Sequence, residues 1–252
     1  MLPLYVYEKE ETEQGKQSDL LSLENTTSSF NGYRRKYALT DEALAYFQKT
    51  YPGKDINKED IFFYIYGLLH SPEYRQKYAT SLSKELPRIP CVKTWEAFSQ
   101  FSQAGRKLAV LHTEYETQKP YYDPDKSENV QITRAESVEQ TFRVKQMAYA
   151  PKKDGKAREK DRTTLIYNQY VTVTNIPLEA YDYIVNGKPA LDWVAERQCI
   201  STDKKSGITN DANRWAIEKM HNPRYPLELF LKVVTVSLDT MKIINALPAL
   251  EI

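Results

Sequence analysis

The sequence predicts an α+β protein in which a helical N-terminal subdomain precedes a mixed α/β region bearing a basic β-hairpin. Three observations carry this. Capped apolar segments with helical spacing crowd the first half. After the Tyr121-Tyr122-Asp123-Pro124-Asp125 loop the period changes to two, with β-branched and aromatic residues. Helical 3-4-3 spacing then returns over the closing segment. With 252 residues, 41% of them hydrophobic and 27% charged, the chain can bury one or two cores without a disulfide or metal staple.

Residues 2–7 alternate as a short strand, and the acidic, Ser/Thr-rich stretch to residue 31 reads as a linker or loop. Thr40 is placed to cap a helix from Asp41 that stops at Pro52-Gly53. Asn57 and Asp60 form an approximate capping box before a helix over residues 61–70. Ser71-Pro72-Glu73 opens the next helix, expected to reach about residue 86, and Thr94 opens a further long one with Trp95, Phe98, Phe101, Leu108, Leu111 and Tyr115 mainly on one face. Phe142 and Val144, then Met147 and Tyr149, read as a strand broken by a bulge. Asp154-Gly155 signals a hairpin. Strands follow over 164–167 and 170–174, short helices over 178–185 and 189–197 around Asn186-Gly187, and a last helix from Pro226. The expected divisions are therefore 1–31, 32–118 and 119–252.

Several chemistries are missing. No Gly-rich phosphate loop, GxGxxG or GxSxG is present. His70, His112 and His221 are isolated, and Cys91 and Cys199 lack metal-ligand neighbours; they read as structural histidines and free thiols of a reduced, cytoplasmic protein. No apolar run spans a bilayer. No catalytic residue and no metal site are expected.

The positive signal is local charge. Between positions 143 and 162, eight cations (Arg143, Lys145, Lys152, Lys153, Lys156, Arg158, Lys160, Arg162) outnumber three anions (Asp154, Glu159, Asp161) by five. On a hairpin they suit a phosphate clamp on duplex DNA; equally they suit a solvated tip. The polar stretch 202–213 offers Lys204, Lys205, Asn210 and Asn213 for phosphate or base contact, or else simply a turn and helix cap. Tyr149, Tyr167 and Tyr170 can stack on a base or face the sheet's core.

Longer motifs add a resemblance. Asp60-Ile-Phe-Phe-Tyr-Ile-Tyr-Gly-Leu-Leu-His-Ser-Pro-Glu-Tyr-Arg75 and Lys84-Glu-Leu-Pro-Arg-Ile-Pro90 resemble the region after the catalytic core of large bacterial adenine-specific DNA methyltransferases. Tyr183-Ile-Val-Asn-Gly-Lys-Pro-Ala-Leu-Asp-Trp-Val-Ala-Glu-Arg197 and Thr202-Asp-Lys-Lys-Ser-Gly-Ile-Thr-Asn-Asp211 resemble the C-terminal specificity region of single-polypeptide Type ISP restriction-modification enzymes. The resemblance covers about residues 2–247. It implies sequence-specific recognition of double-stranded DNA, with residues 2–7 as the outgoing strand of an upstream methyltransferase in the same polypeptide. S-adenosylmethionine, ATP and Mg are implied only for the parent's other parts, and no cofactor for this chain. The rival reading is a docking or coupling module that binds the methyltransferase without reading DNA.

Overall fold

The structure is a computed structural model that describes residues 3–9, 27–30, 32–152 and 159–252, with only the backbone of 27–30. The chain divides into two compact units, residues 1–109 with 247–252, and residues 110–246.

In the first unit, β1 (Tyr5–Lys9), β2 (Thr27–Phe30) and β3 (Tyr33–Tyr37) form an antiparallel sheet in the order β1-β3-β2. The expected linker falls largely outside the described residues, but Thr27–Phe30 is strand rather than loop. Its backbone is paired by β3, and that ladder outweighs a polar composition. The helices then start where their caps predict. In α1 (Asp41–Thr50) the Ala43 amide donates to Thr40 Oγ1 at 3.3 Å. In α2 (Lys58–His70) Asn57 and Asp60 exchange both bonds of a capping box, at 2.9 and 3.1 Å. The single helix expected to about residue 86 is instead α3 (Pro72–Lys77) and α4 (Ala79–Leu82), broken at Tyr78. Ser83 Oγ donates to the Thr80 carbonyl at 2.8 Å, and the run Thr80, Ser81, Ser83 propagates a helix poorly. Thr94 Oγ1 caps α5 (Trp95–Thr113) by accepting from the Ala97 amide at 3.2 Å.

This unit's core is aromatic. Tyr64 stacks on Phe98 with centroids 4.8 Å apart, and Phe47, Tyr51 and Phe101 close around them. The tyrosine hydroxyls have a second task. Residues 88–92 run outside any helix or strand, and their inward carbonyls need donors. Tyr74, Tyr64 and Tyr51 donate to the carbonyls of Arg88, Pro90 and Val92, each at 2.6 Å. The tail returns to this core as well. Leu247, Leu250 and Ile252 pack on it, and the Lys93 amide donates to Glu251 O at 2.9 Å. The expected 119–252 region therefore ends short of the terminus.

In the second unit, β4 (Val130–Ile132), β5 (Ala148–Pro151), β6 (Lys160–Ile166) and β7 (Val171–Val173) form an antiparallel sheet ordered β4-β7-β6-β5. The strand expected through 142–149 is not continuous. Phe142 closes a short helix, α6 (Val138–Phe142), capped by Ser137. Val144 and Met147 are buried in irregular chain, and the register shift lies at Tyr149/Ala150. Two apolar positions at period two do not outweigh a capped helical turn.

The helix expected over 178–185 is only a 3₁₀ turn, Leu178–Tyr181. Asn186 and Gly187 take positive φ (48° and 85°), as a type I′ turn demands, and join β8 (Ile184–Val185) to β9 (Lys188–Pro189) as a hairpin. Then come α7 (Ala190–Arg197), the hairpin β10 (Ile200–Thr202) and β11 (Thr209–Asp211), α8 (Ala212–Glu218), and α9 (Tyr225–Asn245). Helix α9 buries Leu227, Phe230, Leu231 and Val234 at the centre of the core, so packing overrides the strand preference of its valines. Among the described residues no helix is long and apolar enough to cross a membrane.

Two glycines set how closely α2 and α5 approach. A Cβ at Gly67 would lie 2.3 Å from Phe101 O, and one at Gly105 would lie 1.8 Å from Phe63 O. Both obstacles are backbone, so a methyl group must force the helices apart. Gly105→Ala is expected to cost about 3 kcal/mol, the upper range for overpacking, and to lower the thermal midpoint by several degrees in a calorimetric melt.

Candidate nucleic-acid interface

When α6 ends at Phe142 the chain crosses to β5 without a ladder, so other groups must hold residues 143–147. One side chain does most of it. Asn213, 4% exposed at the start of α8, accepts from the Val144 amide with Oδ1 and donates to the Val144 carbonyl with Nδ2, both at 2.8 Å. Asp211 caps α8 by accepting from the Asn213 and Arg214 amides, and takes a further bond from Asn213 Nδ2 at 2.8 Å. Arg143 meets the same carboxylate at 3.4 Å, and Lys145 O accepts from the Ile200 amide at 3.0 Å. Three successive residues, 143 to 145, are thus fastened to the β10–β11 hairpin and α8.

From the other side, Asn168 in the β6–β7 turn spends its whole amide on backbone. Nδ2 donates to the carbonyls of Thr141 and Arg143, and Oδ1 accepts from the amides of Tyr170 and Val171. Burial pushes the Asp211 carboxyl up, but the bonds from Asn213 and Arg214 and the Arg143 charge outweigh it and hold the group below its ordinary range.

Clamped so, the segment projects side chains into a polar depression of about 610 Å³, lined by Gln140, Arg143, Lys145, Gln146, Gln169 and Tyr170 among others. Its volume suits a small-molecule site, but such sites are mostly apolar. This lining suits a polar partner approached from solvent. A second depression, about 770 Å³, adjoins the hairpin base, where Trp215 is 55% exposed and Arg197, Asn210, Arg214 and Lys219 share the lining with Glu196 and Glu218.

The twelve residues expected to contact DNA meet different fates. Arg143 and Lys145 line the first depression, and Asn210 the second. Lys204 and Lys205 stand exposed at the β10–β11 tip, which Asp203 shapes by accepting from Lys205 N, Ser206 N and Ser206 Oγ. Lys160 is exposed where β5 and β6 part, and Lys152 there pairs with Glu159 at 3.3 Å. Lys153, Lys156 and Arg158, with the Asp154-Gly155 turn signal, lie outside the described residues.

Two are spent inside the fold. Asn213 is the buried clasp. Arg162 binds Asp192 at 2.9 Å and lies over the rings of Tyr181 and Tyr149 at 4.9 and 5.6 Å, pinning α7 to the sheet. Tyr149 OH shares that carboxylate; burial drives its pKa far up and that of Tyr181 to about 12, so both remain neutral donors. Tyr167 is a core residue, donating to Phe142 O at 2.7 Å, Tyr149 packs half-buried against that core, and of the three only Tyr170 reaches the depression.

Sequence reasoning missed Gln146, Gln169 and Trp215, whose exposure no local pattern announces. His70 and His112 sit in hydrogen bonds to Tyr66 O and Thr240, and both cysteines are free and half-buried. Among the described residues no cluster of His, Cys, Asp or Glu is arranged to hold a metal.

Residues 1–229 match the family model described as the Type ISP C-terminal specificity domain. Among solved structures, the chain is similar to the ATP-dependent Type ISP restriction-modification enzyme LlaBIII bound to DNA, at 35% identity and a TM-score of 0.74 over 100% of its length. It is also similar to a nuclease-deletion mutant of the Type ISP enzyme LlaGI in complex with a DNA substrate mimic, at 42% identity over 80% and a TM-score of 0.65. A DrdV–DNA complex follows, at 31% identity over 90% and a TM-score of 0.67. The chain spans only 14%, 15% and 21% of those three chains. No curated protein matches.

Replacing Asn213 by Ala leaves the Val144 amide and carbonyl buried without partners, and chemical denaturation is expected to show a loss of about 2–4 kcal/mol. The acid limb tests Asp211. Its folded pKa lies below its unfolded one, so its contribution is complete above about pH 4 and is lost as falling pH passes through the folded value. The stability difference between wild type and Asp211→Asn should therefore be full at neutral pH and shrink in acid.

Proposed function

Because the chain belongs to the family of Type ISP C-terminal specificity domains, we propose that it recognises a target sequence in double-stranded DNA on behalf of a longer restriction-modification polypeptide. The observation that carries this reading is the likeness, across the whole chain, to an enzyme whose structure was solved bound to DNA. Type ISP restriction-modification proteins are enzymes as a whole. In this reading the present chain supplies recognition and no catalytic group. Methyl transfer, ATP turnover and cleavage, with S-adenosylmethionine, ATP and Mg, belong to other parts of the parent. The methyltransferase of the same polypeptide is the second partner, and the cytoplasm is where both meet DNA.

The physical support lies in the second unit. Lys145, Lys160, Lys204 and Lys205 are exposed cations on turns and strand ends, where phosphate can be met without removing a buried pair from its partner. Lys153, Lys156 and Arg158 extend the same stretch of sequence. Arg143 and Lys152 have carboxylate partners, yet both arginine and lysine are about half exposed, and exchanging such a partner for phosphate costs little. Asn210 offers a hydrogen-bonding amide beside exposed Trp215. Phosphate contacts hold the duplex in register and amides read it.

Equilibrium binding to duplex DNA across a salt series tests the reading. Affinity should fall linearly on a log–log plot, and Lys204→Ala with Lys205→Ala together should make that slope shallower by about 2, one counterion for each lost contact. A flat salt dependence, or unchanged binding in a variant lacking all nine of these cations, contradicts DNA recognition and returns the chain to a docking role.

A further inference from the structure

The polar side chains around residues 143–146 fall into two groups, and the division between them points to where sequence is read. One group is consumed by the fold. Asn213 and Asn168 spend their amides on backbone, Thr141 Oγ1 binds Ser137 O and the Ala135 amide, and Asp211 serves the α8 cap and Arg143.

The other group is unspent. Among the described residues the side-chain amides of Gln140, Gln146 and Gln169 and the Lys145 ammonium make no hydrogen bond, and all four are exposed. The consumed group holds the backbone on both sides of the depression, and the unspent group lines it. Gln146 follows directly on the clamped residues 143–145. Gln169 is the one residue between Asn168 and Tyr170, and Asn168 grips the amide of Tyr170. Long, flexible side chains on such fixed anchors are what base reading needs: rigid placement at the root, and free donors and acceptors at the tip.

We infer that Gln146 and Gln169 are specificity-determining residues that read purine edges in the major groove, with Lys145 beside them. A glutamine amide matches the N6 donor and N7 acceptor of adenine in a bidentate pair, whereas lysine donates to guanine O6 and N7. Glu136, also on the lining, can accept from cytosine N4. A small metabolite fits the lining less well, because seven of its nine residues carry amide or charged side chains where small-molecule sites are mostly apolar. The inference rests on the duplex-recognition reading and adds which side chains carry the discrimination.

The test is selection of the chain from a randomised duplex library, followed by sequencing, alongside affinity for a fixed non-target duplex. Gln146→Ala and Gln169→Ala should each relax the preference at one or two base positions, by roughly 10-fold or more per adenine lost. Affinity for the non-target duplex and its salt slope should stay within about twofold of wild type, since phosphates are held elsewhere. Gln146→Glu, which can only accept, should shift the preference at its position toward cytosine. Both residues are exposed and unbonded, so melting temperatures should not move.

Sequence preferences identical to wild type in all three variants overturn the inference and leave DNA recognition standing with other readers. Wild type that binds duplex without any preference overturns it likewise. Wild type that does not bind duplex at all overturns the broader reading, and this one with it.

Discussion

One buried amide holds the surface described here in place. Asn213 meets the Val144 amide and carbonyl at 2.8 Å each, in a setting where either group left alone would cost more than the bond itself contributes. The clasp does what a strand ladder would do elsewhere. It fixes the path of a chain segment that belongs to no regular element, and it does so from α8, whose own start is capped by the adjacent Asp211. Arg143, Lys145 and Gln146 can therefore face solvent from a rigid backbone, and Asn168 completes the frame from the β6–β7 turn. The irregular loop is as well determined as a strand.

The same physical device recurs on a larger scale. Nineteen tyrosines are many for a chain of this size, and the structure shows a reason in both units. Tyr51, Tyr64 and Tyr74 in the first, and Tyr122, Tyr167 and Tyr181 in the second, bury their rings or lean them on the core and donate their hydroxyls to backbone carbonyls 2.6 to 2.8 Å away. Four of these carbonyls, those of Arg88, Pro90, Val92 and Asn175, belong to segments outside any helix or strand. Each ring adds apolar area, and each tip removes a desolvation cost. Long stretches of irregular chain are tolerated in consequence.

These arrangements explain what was and was not legible in the sequence. Helices announced by local chemistry were readable: Thr40, Asn57, Ser71 and Thr94 each cap the helix they precede, because a cap involves residues two or three apart. The segment from 178 to 189 misled because Asn186-Gly187 serves a hairpin of two-residue strands, too short for a period to show. At the candidate site the lysines were legible as charge. What could not be read was which polar side chains the fold consumes. Asn213 finds Val144 across 69 positions, and Arg162 finds Asp192 across 30, so nothing near either residue marks it as structural. Gln146 and Gln169 were overlooked for the converse reason, since an unspent glutamine looks like any other until its neighbours' bonds are known.

Photo-crosslinking from the clamped segment tests the account most directly. A cysteine at position 146 or 169, carrying a photoreactive group and presented with a duplex that contains the preferred sequence, should join to bases within that sequence and not to flanking DNA. Capture at neither position while the duplex is demonstrably bound, or capture spread evenly along it, would show that the clasped surface faces away from the groove and that its rigidity serves something else.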